Sequence, residues 1–433
     1  PRVSHDGKTL SYVSGGQAAT TTPTGGKTNA LPIDATITID RRAELAQKFH
    51  EAAGRFGMNF YHPTLKGRDW DALTERYREL VMQTRTQEAF LRLMNLMWGE
   101  VDGSHTGTRG GDGYSAGSPG NGYLGIDFTP VERGYRIDAV IKGGPIDKID
   151  DGPGIGDVVI AIGDQRLNDA GTGSGLRSLH ESMAHMAREE VLLEYIPAGN
   201  VDGSTRLGLV TPTTFGAESR LRYDDEVEKR RAEVDRLSNG RLGYLHIRGM
   251  GINEVRNYER DLYAAAHGKE GLIIDVRDNG GGWTTDILLA SLTAPNHAYT
   301  IPRGANPDEV QKDNYPRDRR LIYAYSRPIN VLINQHSFSN AEIFAHSIRT
   351  AGRGTLIGTQ TFGGVISTGS FSLIDGTTIR RPFRGWYLPD GTDMESNGAK
   401  PDIDVPQLPA DEAAGRDPQL EAAVRELLGR IDN

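Results

Sequence analysis

Two stretches of this sequence carry residue types that could do chemistry. One is Asn334-Gln335-His336-Ser337-Phe338-Ser339-Asn340-Ala341-Glu342. Ser339 follows the apolar run Val331-Leu332-Ile333 and precedes a helical pattern. A serine at such a junction has its Oγ exposed at a sharp turn. The first N–H groups of the helix would favour a developing oxyanion there. The logic is that of a nucleophile elbow, although Gly-x-Ser-x-Gly is absent. A serine there is also an ordinary N-cap, so position alone leaves both readings open. The second stretch is Asp275-Val276-Arg277-Asp278-Asn279-Gly280-Gly281-Gly282. Three glycines after a buried strand let the backbone approach a ligand and aim free N–H groups at it, as an oxyanion hole or anion cradle. The same glycines also suit a tight turn.

A serine nucleophile needs a base. The 11 histidines are scattered. His105, in Gly103-Ser104-His105-Thr106-Gly107, stands at the mouth of a glycine-rich loop. Other chemistries are poorly provided for. Cysteine is absent, so disulfides, thiolate metal sites and cysteine nucleophiles are excluded. No Walker loop, HExxH or His pair at metal spacing occurs, and no metal or cofactor is expected. The 49 basic and 58 acidic residues leave a net charge of −9, which argues against nucleic acid as the partner. No apolar run approaches the roughly 18 residues of a membrane span, so no membrane partner is expected.

These residues need elements to position them. The 433 residues allow two to four domains at about 100–200 residues each. Glycine is abundant, 54 of 433, and clusters at apparent boundaries. Asp6-Gly7 marks a hairpin turn. Residues 15–30, rich in Gly, Thr and Ala, read as a linker. Residues 40–99 carry three helical patterns, with Asp69 capping the second and a Thr84/Gln87 capping box opening the third. Residues 122–200 read as a small β-rich domain with a helical stretch over 177–188. The charged run within 205–240 reads as a solvated helix. From 242 onward, apolar strand, loop and helix alternate, which implies a parallel sheet with its site where strands pass to helices. A final helix closes the chain.

Residues 1–15, with Ser4-His5-Asp6-Gly7-Lys8-Thr9-Leu10-Ser11-Tyr12, resemble one repeat of a TolB-like β-propeller. The expectation is that further blades lie upstream, and with them any targeting information. An irregular arm is the alternative.

Taken together, the motifs resemble the carboxyl-terminal half of the tricorn protease family, relatives of the C-terminal processing peptidases. The resemblance implies a mixed α/β and β multidomain chain. Its parts would be a propeller end with linker over 1–27, a helical core subdomain over 28–111, a PDZ-like domain over 112–203, a crotonase-like catalytic α/β subdomain over 204–409 and a C-terminal helix over 410–433. It implies a serine peptidase acting through a tetrad: Ser339 as nucleophile, His105 as base, and Ser104 bridging His105 to Glu395 in Met394-Glu395-Ser396-Asn397-Gly398-Ala399-Lys400-Pro401-Asp402-Ile403. The oxyanion would rest on the N–H groups of Gly281 and Asn340, the latter standing where the family often has Asp. The processing peptidases instead use a lysine in a Thr-Phe-Gly-Lys context. This chain has Thr361-Phe362-Gly363-Gly364-Val365, so a histidine base is required. Gly122-Tyr123-Leu124-Gly125-Ile126 resembles a PDZ carboxylate-binding loop, and Leu124 and Gly125 are candidate peptide contacts. A structural role for that domain is the alternative.

The resemblance further implies peptide substrates, a cytoplasmic homo-oligomer, taken as a hexamer, and downstream aminopeptidases as partners. Family preference for basic residues is not expected to be strict here, since no Asp or Glu lies between Asp286 and Asp308. The competing readings are a non-catalytic PDZ-containing peptide-binding scaffold and an acyl-CoA enzyme on the same fold.

Overall fold

The computed structural model describes residues 1–31, 38–111, 120–167, 178–200, 203–295, 298–301, 303–309 and 323–433. Residues 15–30, expected as a linker, contain one strand and the start of another, joined by the non-strand residues 22–28. β1 (Arg2–Val3), β2 (Leu10–Ser14), β3 (Gln17–Thr21) and β4 (Asn29–Leu31) form one antiparallel sheet in sequence order. Gly15 and Gly16 both have positive φ, which suits the two-residue turn joining β2 to β3. The threonines that looked like linker composition are good strand formers.

The next unit holds α1 (Arg41–Asn59), α2 (Trp70–Val81), α3 (Gln87–Gly99) and β5 (Gly107–Arg109). Asp69 caps α2 through Ala72 N–H, as the sequence predicts. The cap of α3 is Thr86, not Thr84. Thr84 spends its hydroxyl on Val81 O at the end of α2. Phe56 stacks on Trp98 at 4.1 Å within the core of this unit.

The third unit is β6 (Ile126–Val131), β7 (Gly134–Val140), β8 (Val158–Ile162), β9 (Gln165–Arg166), α4 (Leu179–Ser182), β10 (Val191–Ile196) and β11 (Arg206–Val210). The helix expected over 177–188 is a single turn, and residue 177 lies outside the described residues. Ser178 caps it at once, and Met183 already leaves helical geometry. β11 pairs with β10 through five residues, so this sheet runs past the expected boundary at 203. The expected boundary at 112 lies outside the described residues.

The remaining elements are α5 (Phe215–Leu237), β12 (Leu242–His246), α6 (Ile252–Ala266), β13 (Gly271–Asp275), α7 (Thr285–Thr293), β14 (Ile329–Ile333), α8 (Asn340–Thr350), β15 (Gly354–Gly358), β16 (Ile366–Ser372), β17 (Thr378–Gly385), β18 (Ile403–Asp404), α9 (Pro409–Ala413) and α10 (Pro418–Asp432). Five parallel strands pair in the order β12-β13-β14-β15-β18. β13 and β14 are buried along their whole length, as a strand covered on both faces must be. Leu272, Ile274, Val331 and Ile333 face α6, α7 and α8. Ile273, Leu332 and Ile357 face α5 and α10 through Val234, Leu420, Val424 and Leu427.

Two packing relations cross the expected boundaries. The final helix is one cover of the sheet rather than an appendage. And β16–β17 leaves the parallel sheet altogether. β17 pairs with β5, and Phe371, Leu373 and Ile379 complete the helical core around Phe90 and Trp98. No helix among the described residues is long and apolar enough to cross a membrane.

Candidate active site

The parallel strands deliver three loops to one end of the sheet. β13 ends at Asp275, which is fully buried and accepts from Arg277 Nε and Nη2 at 3.0 and 2.7 Å. Burial alone would raise the Asp275 pKa, but Arg277 holds it below the usual carboxylate range. Arg277 also reaches both carboxylate oxygens of Asp417, the N-cap of α10, at 2.9 Å. The root of the glycine loop is thereby tied to the last helix. Beyond it, Asn279 Nδ2 donates to Ile247 O, and Asn279 O accepts from Phe338 N at 2.9 Å. The glycine loop and the serine loop are thus bonded to each other.

Ser339 occupies the N-cap position of α8 with φ 58° and ψ −117°. A non-glycine residue there costs about 1–3 kcal/mol and persists only where its surroundings enforce it. Here Ser339 N–H donates to Glu342 Oε1 at 3.0 Å. A Cβ added to Gly281 would lie 2.7 Å from Ser339 Cβ and 2.8 Å from Asn340 N. Only a glycine lets the two loops approach this closely.

Four of the residues singled out in the sequence meet in one hydrogen-bonded chain. Ser339 Oγ lies 2.8 Å from His105 Nε2. His105 Nδ1 lies 2.7 Å from Ser104 Oγ. Ser104 Oγ donates to Glu395 Oε2 at 2.9 Å, and Ser104 N–H donates to Glu395 Oε1 at 2.7 Å. Val365 N–H adds a third donor to the Glu395 carboxylate. The direction of this chain fixes the imidazole tautomer. Ser104 gives its proton to Glu395, so it accepts from His105 Nδ1–H, and Nε2 is left to accept from Ser339. Burial, with Arg380 as a second cause, lowers the His105 pKa from 6.5 to about 4. The ring is therefore neutral at pH 7 and able to take a proton. His105 also has positive φ, 60°.

Phe338 stacks on the His105 ring at 4.7 Å and 13°. A Cβ at Gly364 would lie 2.3 Å from Phe338 Cε2. The space a side chain at 364 would need is filled by the aromatic ring that supports the histidine.

The remaining candidates are Gly281, Asn340, Leu124 and Gly125. Gly281 N–H donates to Asn279 Oδ1 at 2.8 Å, within its own loop. The Asn340 side chain turns away from Ser339 and accepts from Thr285 N–H at 2.9 Å, capping α7. Leu124 is buried in the core of the third unit, and Gly125 N–H donates to Glu218 Oε2 at 3.0 Å. That amide is thus held by a carboxylate of α5. Among the described residues no group of His, Asp and Glu converges as a metal site.

Sequence reasoning missed Glu342. Its carboxylate accepts from Ser339 N–H, Gly364 N–H (2.8 Å), Gly363 N–H (2.5 Å) and Thr361 Oγ (2.7 Å). Burial raises its pKa against these four bonds. It fastens the 361–364 loop to the nucleophile turn. Its position three residues after Ser339, where an N3 glutamate sits, was the available signal.

Residues 241–405 match the profile of peptidase family S41, and residues 41–99 match the tricorn protease C1 domain. Tricorn protease homolog 1 of Streptomyces coelicolor is 33% identical over 409 residues, 91% of this chain and 36% of that protein. The chain is similar to tricorn proteases over nearly its whole length. The tricorn protease of Thermoplasma volcanium is 29% identical over 414 residues, 93% of this chain and 38% of that protein. The crystal structure of the tricorn protease superposes with a TM-score of 0.78 at 24% identity, over all of this chain and 41% of that one, and shows a shared fold. The chain thus spans well under half the length of these tricorn relatives. Ser339 and Glu395 fall inside the S41 match, whereas Ser104 and His105 lie between the two matched segments.

Proposed function

We propose that the chain is the hydrolytic part of a tricorn-type serine peptidase, cleaving oligopeptides or unfolded chains. The observation that carries this reading is the 2.8 Å approach of Ser339 Oγ to a neutral, oriented imidazole. Ser339 Oγ attacks the scissile carbonyl while His105 Nε2 takes its proton. The imidazolium is stabilised through Ser104 by the Glu395 carboxylate. His105 then returns the proton to the leaving amine, and water attacks the acyl-enzyme by the same route in reverse. The tetrahedral oxyanion is assigned to Asn340 N–H, at the start of α8, and to Gly281 N–H, which would share its bond to Asn279. Similarity to the tricorn proteases and the strained nucleophile turn support the same roles.

The five-stranded parallel unit is read as the crotonase-like core, and the β-rich unit as a PDZ-like insert whose role is structural, since Glu218 occupies its Gly125 N–H. Assembly as a cytoplasmic homo-oligomer follows only from the resemblance, and light scattering on the purified protein tests it.

The deciding experiment is hydrolysis of casein or a fluorogenic peptide without added cofactor, alongside labelling by a phosphonofluoridate. Wild-type protein should cleave and be labelled at Ser339. Ser339→Ala should do neither while remaining folded. Retained cleavage by the variant overturns the assignment.

A further inference from the structure

We infer that Arg380 and Arg109 form a binding subsite for a carboxylate of the peptide substrate, beside the catalytic histidine. The inference rests on the hydrolase reading for the word substrate.

β17 pairs with β5 so that Arg380 lies opposite Gly107 and Arg109 opposite Thr378. Directly opposed residues share a face, and residues two apart on one strand share it too. Arg380 and Arg109 therefore project from the same face, with Gly107 between them offering no side chain. Gly107 is two residues beyond His105. Arg380 is close enough to help lower the His105 pKa, and Arg109 in turn lowers that of Arg380 after burial. Two guanidinium groups thus repel one another at the edge of the site.

Nothing described neutralises them. Most ion pairs among the described residues are arginine with Asp or Glu, including the buried Arg277–Asp275 pair. Neither Arg109 nor Arg380 makes one with a described residue, although both are exposed. Arg380 Nε makes only a 3.3 Å bond to Thr368 Oγ1, which leaves its fork free. Arg381 and Arg384 lie on either side of Phe383 along the same strand, over its ring at 5.9 and 5.6 Å, and also lack a described carboxylate. Arg381 Nε is buried without a partner. In a chain of net charge −9, Arg380 with Arg109 next to it, neither having a described carboxylate partner, is a local reversal of sign near His105. Paired guanidinium groups suit a carboxylate, which can accept two parallel N–H bonds from such a fork. The same field would hold off a lysine or arginine side chain, the reverse of a basic preference.

A substrate carboxylate can come from an acidic side chain or from a free C-terminus. The test uses the full chain carrying Ser339→Ala and three fluorescent peptides of one sequence. The first has an internal Glu and a C-terminal amide, the second Gln and an amide, the third Gln and a free acid. Anisotropy should show at least one carboxylate peptide binding about tenfold or more tightly than the neutral one. Which of them gains identifies the source. Arg380→Gln with Arg109→Gln should bring the ratio close to one, and Arg380→Glu should shift preference to a peptide with Lys in place of Glu. Both positions are exposed, so circular dichroism should be unchanged. Equal binding of all three peptides, or a preference that survives the double variant, overturns the inference. Hydrolysis of the same peptides by protein with Ser339 intact reports separately on the hydrolase reading.

Discussion

The ring of Phe338 lies flat on that of His105, 4.7 Å away, and its far edge fills the volume a side chain at 364 would need. The glycine at 364 and the histidine base are therefore two sides of one arrangement. Gly364→Ala should push Phe338 off the imidazole and lower kcat between about tenfold and about a hundredfold. Gly364→Lys should fare no better, since the ring blocks the path to Ser339. Steady-state kinetics on both variants check this. Full activity in Gly364→Lys would show that the stacking contact is dispensable.

Acid should silence the site late. His105 titrates at about 4 rather than 6.5, so kcat/KM should hold nearly level from pH 7 to about 5 and fall with an apparent pKa well under 6.5. An acid limb centred on 6.5 would contradict the burial of the ring. Stability should follow the opposite course over that window. The unfolded chain takes up the proton first as pH drops, so folding is weakened from about 6.5 down to about 4. His105→Gln should remove that part of the loss, measured by denaturant titration at several pH values.

The roles along the relay should be graded. His105→Ala should lower kcat by about 10²–10⁴-fold, the usual span for a general base. Glu395→Gln keeps the shape but loses the charge, worth about 1.5–3 kcal/mol or roughly 10- to 100-fold. A Glu395→Gln effect as large as that of His105→Ala would mean the carboxylate does more than orient.

Glu342 should matter for stability as well as rate. Glu342→Ala strands four buried donors at about 1–3 kcal/mol for each left unpaired, so a loss of about 3 kcal/mol or more is expected. Glu342→Gln retains an acceptor and should cost less. Chemical denaturation separates the two.

Much of this was legible because the chemistry sits at junctions that announce themselves. Ser339 stands between an apolar run and a helical pattern, and the Gly281 loop is dense in glycine. Asp69 caps its helix where a cap was predicted. The failures share a cause. Thr84 and Thr86 both fit a cap, and only the competing bond from Thr84 to Val81 O decides. Residues 17–21 and 29–30 have polar or small side chains whose strand character appears only when paired. Helix α6 lies where only strands are assigned from the sequence, although Val255, Tyr258, Leu262 and Ala266 repeat at helical spacing. That β16–β17 packs on the helical core depends on Phe371 and Ile379 meeting Trp98 and its neighbours from far along the chain, and no local pattern encodes that. Leu124 and Gly125 match a carboxylate-binding loop in sequence, whereas the bond of Gly125 N–H to Glu218 joins residues 93 apart and no local pattern encodes it.

The bond between Arg277 and Asp417 has a consequence in time. The relay draws its parts from residues 104, 105, 339 and 395, and the loop beside the nucleophile is anchored by a carboxylate later still in the chain. During synthesis, a polypeptide that has the serine, the histidine and both glutamates already exposed still lacks the clamp on its glycine loop. A chain that ends before Asp417 therefore lacks this anchor on its glycine loop even when all four relay residues are present.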